Sequence, residues 1–93
     1  MEDELMTIRT TVKTITDGDT FKGTGDVVYR LEGVNTPERR EPKYEEAKQY
    51  LRSLIGGKTV SIDVKARDVY GRSVVQVWHN QIIINEKVRN RFG

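Results

Sequence analysis

The sequence has no cysteine, a single histidine and only two prolines among its 93 residues. Without cysteine the chain forms neither a disulfide framework nor a thiolate metal site, and one histidine does not support the usual zinc sites. A long apolar run is also missing, so the sequence predicts neither a signal peptide nor a membrane span. Any bound metal is therefore expected to be a hard cation that oxygen atoms hold.

Length and charge indicate one small domain. A chain of 93 residues buries only about 60–65% of the surface that its unfolded form exposes. The 16 basic and 14 acidic residues give a net charge of +2, which permits an anionic partner without requiring one. We expect a monomer, and a cytoplasmic location if the chain is complete.

Alternating apolar residues between turn signals predict five short strands. They are expected within residues 5–16, 21–22, 27–31, 58–65 and 73–78. In the third strand, Tyr29 and Leu31 share the core face and Arg30 points away from it. Trp78, at the end of the fifth strand, is expected to pack in the core.

A helix is predicted after the third strand, and Gly56 and Gly57 end it. Its apolar residues form one stripe at helical spacing: Ala47, Tyr50, Leu51, Leu54 and Ile55. A short C-terminal helix is predicted over residues 86–91, with Asn85 as its N-cap. Together these elements predict a mainly β fold with α, a five-stranded Greek-key β-barrel of the OB type.

Polar side chains are concentrated in residues 30–38, where the third strand becomes a loop. Arg30, Asn35, Thr36 and Glu38 lie within nine residues, and Pro37 stiffens the backbone between them. Rigid loops that leave strands often carry binding and catalytic residues. Taken alone, the stretch is equally compatible with an ordinary strand end that carries solvated charges.

Two further motifs accompany this loop. Residues 17–20 read Asp-Gly-Asp-Thr, a strong hairpin signal, but Asp17 and Asp19 also place two carboxylates at one turn, where a cation is favoured. Residues 68–72 read Asp-Val-Tyr-Gly-Arg and form a turn with an exposed aromatic residue.

The order of the three motifs, with a helix between the second and third and Asn85 after them, resembles the staphylococcal nuclease (thermonuclease-like) family. The resemblance covers residues 10–93 and implies a single OB-fold domain over residues 1–93. Residues 1–9 are then expected to form a partly disordered lead. On this resemblance, residues 1–93 are expected to lack the C-terminal helix region of the family.

The resemblance implies a nuclease that hydrolyses the phosphodiester bonds of DNA and RNA. Arg30 and Arg72 match the two arginines of the family that grip the scissile phosphate, and Glu38 matches the carboxylate taken as the general base. Tyr70 matches a tyrosine that contacts the terminal phosphate of the substrate. Two guanidiniums suit this task because each offers paired donors to phosphate oxygens.

The resemblance also implies calcium as cofactor. Asp19 matches a direct metal ligand, and the backbone carbonyl of Thr36 matches another. Asn35 stands where the family has a second metal-binding aspartate, so the site loses one negative charge and we expect weakened calcium binding. The first hypothesis is therefore a calcium-dependent nuclease with weakened metal binding. The alternative is a catalytically impaired module that binds nucleic acid or a protein partner.

Overall fold

A computed structural model describes residues 7–93 of the protein. This part of the chain forms seven β-strands and two α-helices, in the order β1 (Thr7–Thr11), β2 (Thr14–Asp17), β3 (Thr20–Lys22), β4 (Val28–Leu31), α1 (Tyr44–Ile55), β5 (Thr59–Arg67), β6 (Ser73–His79), β7 (Ile82–Ile83) and α2 (Ile84–Phe92). The strands pair in the order β1-β5-β6-β4-β3-β2, and β7 pairs with β6. β4 and β6 run parallel, and the other pairs are antiparallel. The predicted mainly β fold of the OB type is confirmed.

None of the helices in residues 7–93 has the length and apolar character that crossing a membrane requires.

The count of five strands is wrong because the first predicted strand is divided and β7 is added. β1 pairs with β5, whereas β2 pairs with β3, so the chain bends between them at Val12 and Lys13. The N–H of Val12 donates to the carbonyl of Lys58 (2.9 Å), and the N–H of Lys13 donates to that of Lys22 (2.8 Å). The two ends of the sheet are thus joined by the chain itself, while no ladder pairs β1 with β2 in the described residues.

The core lies between the curved sheet and one face of each helix. Tyr29 and Leu31 of β4 are buried, as alternation predicts, and Arg30 lies on the opposite face. The apolar stripe of α1 packs against the same core. Trp78 contradicts its predicted packing, because its side chain is 45% exposed. Val77, its neighbour in β6, occupies the inner face, and consecutive strand residues point to opposite faces.

The predicted start of α2 is also wrong. The helix begins at Ile84 and not at residue 86, and Asn85 does not cap it. Asn85 is instead buried within the first turn, where its Oδ1 accepts the N–H of Val77 (2.9 Å) and its Nδ2 donates to the carbonyls of Val75 and Glu32 (3.0 Å each). A buried amide needs such partners, and these three connect α2 to β6 and to the end of β4.

The predicted N-terminal lead falls partly within β1. Residues 7–9 belong to that strand and pair with β5. Residues 1–6 lie outside the described part of the chain.

Candidate active site

One cleft of ≈ 780 Å³ brings residues of the three sequence motifs together. Its lining includes all six residues that were predicted for catalysis and metal binding: Asp19, Arg30, Asn35, Thr36, Glu38 and Arg72. Its remaining lining residues are Asp17, Pro37, Arg39, Glu41 and Phe92. Tyr70 is not among the lining residues. It is 80% exposed on the loop between β5 and β6.

Gly18 allows the turn between β2 and β3 to pack beside the loop of residues 32–38, here named the site loop. A Cβ atom at Gly18 would lie 2.7 Å from the Cβ of Ala47 and 2.8 Å from Oγ1 of Thr36. Such distances are too short for any larger residue without a shift of its surroundings. The glycine therefore sets how closely Asp17 and Asp19 approach the site loop and α1.

Arg30 is held by oxygen atoms at both terminal nitrogens. Its Nη2 lies 3.3 Å from Oδ2 of Asp19 and donates to Oδ1 of Asn35 (3.2 Å), while its Nη1 donates to the carbonyl of Leu31 (2.9 Å). The side chains of Arg30 and Asp19 are 24% and 13% exposed, so water screens this ion pair less than it screens a pair on the open surface. Asp19 and Asn35, two of the predicted metal ligands, thus share one guanidinium nitrogen.

Arg72 is oriented by Asp68. Nε of Arg72 donates to Oδ2 of Asp68 (2.7 Å), and Oδ1 of Asp68 accepts the backbone N–H groups of Tyr70 (3.0 Å) and Arg72 (2.9 Å). Desolvation is the largest single influence on the pKa of Asp68 and by itself would raise it. The hydrogen bonds from Arg72, the hydrogen bond from the backbone N–H of Tyr70 and the positive charge of Arg72 together outweigh desolvation, so the pKa of Asp68 lies below its usual value. The guanidinium also lies 5.4 Å from the centroid of the Tyr70 ring. Within residues 7–93, its two terminal nitrogens have no hydrogen-bond partner.

Glu38 is exposed, lines the cleft and has no hydrogen bond or ion pair from its carboxylate within the described residues. The backbone around it is fixed, because its N–H donates to Oε1 of Glu41 (2.6 Å). A carboxylate that is free of protein partners and attached to a fixed backbone is available to accept a proton from a water molecule.

Tyr44, at the start of α1, forms a hydrogen bond with Asp17, which lines the cleft. Its hydroxyl lies 2.7 Å from Oδ1 of Asp17, to which it donates, and 3.0 Å from the carbonyl of Thr16. The Asp17 hydrogen bond, then burial and the Asp17 charge raise the pKa of Tyr44, while Arg39 opposes this shift. Asp17 is therefore tied to α1.

The donor set of the predicted metal site consists of oxygen atoms only. The carboxylate of Asp19, the amide of Asn35 and Thr36 all line the cleft, and oxygen is the donor that calcium and magnesium prefer. In residues 7–93, however, no group of three or more His, Cys, Asp or Glu side chains is placed to hold a metal ion. The residues present therefore fit a hard cation in kind, with little negative charge to retain it.

Comparison with known proteins identifies the family. The profile of the family described as "Staphylococcal nuclease homologue" matches residues 28–90. The chain belongs to the staphylococcal nuclease family. The matched region begins with β4 and ends within α2, so it includes Arg30, the site loop and Arg72 but not the turn at Asp17 and Asp19.

Several relatives in this family carry nuclease names. A probable endonuclease of Clavispora lusitaniae is 38% identical over 88 residues, which cover 81% of this chain and 38% of the relative. A probable staphylococcal-like nuclease of Oryza sativa subsp. japonica is 37% identical over 59 residues, or 63% of this chain and 16% of the relative. An uncharacterized endonuclease of Escherichia coli O157:H7 is 33% identical over 67 residues, or 69% and 44%. This chain spans less than half the length of each of these relatives.

Two residues that contact the lining of the cleft, Asp68 and Tyr44, were not predicted to have a role there. The role of Asp68 in its turn could have been predicted, because aspartate often accepts the backbone N–H of the residue two positions further along a turn. The contact of Tyr44 could not have been predicted from local sequence, since its partner Asp17 lies 27 residues away in the chain.

Proposed function

We propose that this chain is a nuclease domain that hydrolyses phosphodiester bonds of DNA or RNA with the help of a weakly bound calcium ion. The observation that supports this most is the convergence of Arg30, Arg72 and Glu38, from two separate motifs, on one cleft. Membership of the staphylococcal nuclease family and the nuclease names of several relatives support the same reaction.

The two arginines would bind the phosphate. Arg72 offers both terminal nitrogens, because Asp68 holds only its Nε. Arg30 lines the cleft from β4, and its contacts with Asp19 and Asn35 orient its guanidinium. Attack on a phosphodiester builds negative charge on the phosphate oxygens, and donors that are already oriented stabilise that charge without reorganisation.

Glu38 would act as the general base that takes a proton from the attacking water. General-base catalysis typically contributes about 10²–10⁴-fold to a rate. The residues that would hold calcium are Asp19, Asn35 and Thr36, and the ion would supply Lewis-acid stabilisation of the phosphate charge.

The test is cleavage of plasmid and single-stranded DNA at increasing calcium concentration, with a chelator as blank. The parent chain should cut in calcium, Glu38→Gln should lose about 10²-fold or more of the rate, and the matched control Glu86→Gln, an exposed site on α2, should cut like the parent. If no cleavage occurs up to roughly 10 mM calcium, which exceeds the dissociation constants of weak extracellular-type sites, the proposal fails.

The second candidate function is a module that binds nucleic acid or a protein partner without cutting. The low charge of the predicted metal site favours it, because Asn35 replaces a carboxylate and no larger cluster of metal-binding side chains is found in residues 7–93. DNA binding that Arg72→Ala weakens, in a chain that never cuts, would support this alternative.

A further inference from the structure

One face of α2 runs along the site loop. The residues concerned are Asn85 and Arg89 of α2 and Gly93, the residue that caps its C-terminus, and they follow one another at intervals of four. Residues at this spacing lie above one another on the same side of a helix. Each of them forms a hydrogen bond with a different backbone group of the site loop.

The first two contacts are made by side chains. Nδ2 of Asn85 donates to the carbonyl of Glu32 (3.0 Å), and Nη1 of Arg89 donates to the carbonyl of Gly33 (3.3 Å). Gly33 has φ +73° and a Cβ there would lie 3.2 Å from Nη1 of Arg89. Glycine at this position thus serves both the left-handed backbone and the close approach of the arginine.

The third contact is made by the backbone. The N–H of Asn35 donates to the carbonyl of Gly93 (2.8 Å), and the N–H of Gly93 in turn donates to the carbonyl of Arg89 (2.8 Å). The residue whose side chain is a predicted metal ligand is therefore fixed, through its own backbone, by the end of α2.

We propose that α2 is the element that sets the position of the site loop, with Arg89 as a positioning residue for Asn35, Thr36 and Glu38. Arg89 does not line the cleft, so its influence on the site would pass through the carbonyl of Gly33 and the backbone that follows. This inference rests on the proposed function for its effect on catalysis. Its structural part, that α2 restrains the site loop, stands independently.

The direct test is amide hydrogen exchange measured by NMR. Arg89→Ala should speed exchange of the Asn35 N–H by about tenfold, because opening of the site loop becomes easier. Exchange of the Val77 N–H, which Asn85 holds, should be unchanged. Lys87→Ala is the matched control, since it removes one positive charge from an exposed position of the same helix and should leave both amides unchanged. Arg89→Lys, which keeps a donor, should restore part of the protection.

A calcium titration followed by chemical shifts gives the second readout. Arg89→Ala should weaken calcium binding about tenfold, the lower end of the effect of residues that orient metal ligands, while Lys87→Ala should not. Unchanged exchange at Asn35 in Arg89→Ala would overturn the inference. Equal acceleration at Asn35 and Val77 would overturn it too, because it would mean a general loss of stability. If the exchange results hold but the parent chain cuts no nucleic acid, the proposed function fails and the restraint by α2 remains.

Discussion

Replacement of Asn35 by aspartate is the perturbation that bears most directly on the proposed cofactor. The amide oxygen of Asn35 lines the cleft beside Asp19 and lies 3.2 Å from Nη2 of Arg30. Asn35→Asp keeps the shape of the side chain and adds one negative charge at this point. We expect it to strengthen calcium binding and, with it, the rate of cleavage.

The magnitude follows from two opposing effects. At an effective dielectric constant near 20, two unit charges about 4 Å apart interact by about 4 kcal/mol, and a divalent ion doubles this before screening. The new carboxylate would also attract Arg30 and repel Asp19. The attraction between the new carboxylate and Arg30 opposes calcium binding, because the two cations compete for the same oxygen atoms. For a partly exposed ion pair this attraction is worth about 1 kcal/mol or less. A net gain of about 1.4–2.8 kcal/mol, or a 10- to 100-fold lower dissociation constant, is therefore a conservative expectation.

The assay is a calcium titration by calorimetry or by amide chemical shifts, at constant ionic strength. The control is Asn90→Asp, which adds the same charge at an exposed position of α2 outside the cleft. If Asn35→Asp gains no more affinity than Asn90→Asp, only the total charge of the chain matters and Asn35 does not contact the metal ion.

Three further predictions concern the cleft. Arg30→Ala and Arg72→Ala should each lower turnover by about 10²-fold or more. Each should also lower the melting temperature modestly, because Asp19 or Asp68 loses its ion-pair partner; a variant that no longer folds would make that arginine structural. Asp68→Asn should lower turnover because Arg72 loses its orientation. The pKa of Asp68 is lowered in the folded state. Its stabilising effect is therefore present above the usual pKa near 3.9 and disappears as pH falls through the lowered pKa of the folded state. Urea denaturation of the parent and of Asp68→Asn across acid pH would reveal this loss. Tyr44→Phe should reduce stability at neutral pH. Because the pKa of Tyr44 is raised, the difference from the parent should persist up to about pH 10 and vanish as pH rises through the higher pKa; an unchanged difference at strongly alkaline pH would contradict this assignment.

The fold was predictable where the signal is local. Tyr29 and Leu31 alternate with Arg30, and α1 has one apolar stripe, so each element can be recognised from neighbouring residues alone. The bend between β1 and β2 cannot be recognised in this way, because it arises from pairing with β5 on one side and β3 on the other. Trp78 was misjudged because a large apolar residue suggests burial, while its position in β6 places it on the outer face.

The sequence motifs predicted residues that line one cleft in the structure, but they did not predict the contacts of these residues, and the catalytic and metal-binding roles stay predictions. The motifs located Arg30, Glu38 and Arg72, and the family resemblance supplied their expected roles. The rules for helix caps are local, so they suggested a cap at Asn85, whereas its actual partner Glu32 lies 53 residues away. The bond between Arg89 and Gly33 spans 56 residues. Only the folded chain shows such pairs.

The charge of the cleft explains why a cation is expected to assist binding of a nucleic acid. The whole chain carries +2, which permits an anionic partner. The lining differs from this average, because four carboxylates face three guanidiniums: Asp17, Asp19, Glu38 and Glu41 against Arg30, Arg39 and Arg72. By formal charge the lining has one net negative charge, which would disfavour the approach of a phosphodiester. A divalent cation bound in the cleft would reverse that sign. The local charge balance therefore supports the proposed role of a cation, although Asn35 adds no negative charge to the site proposed to hold it.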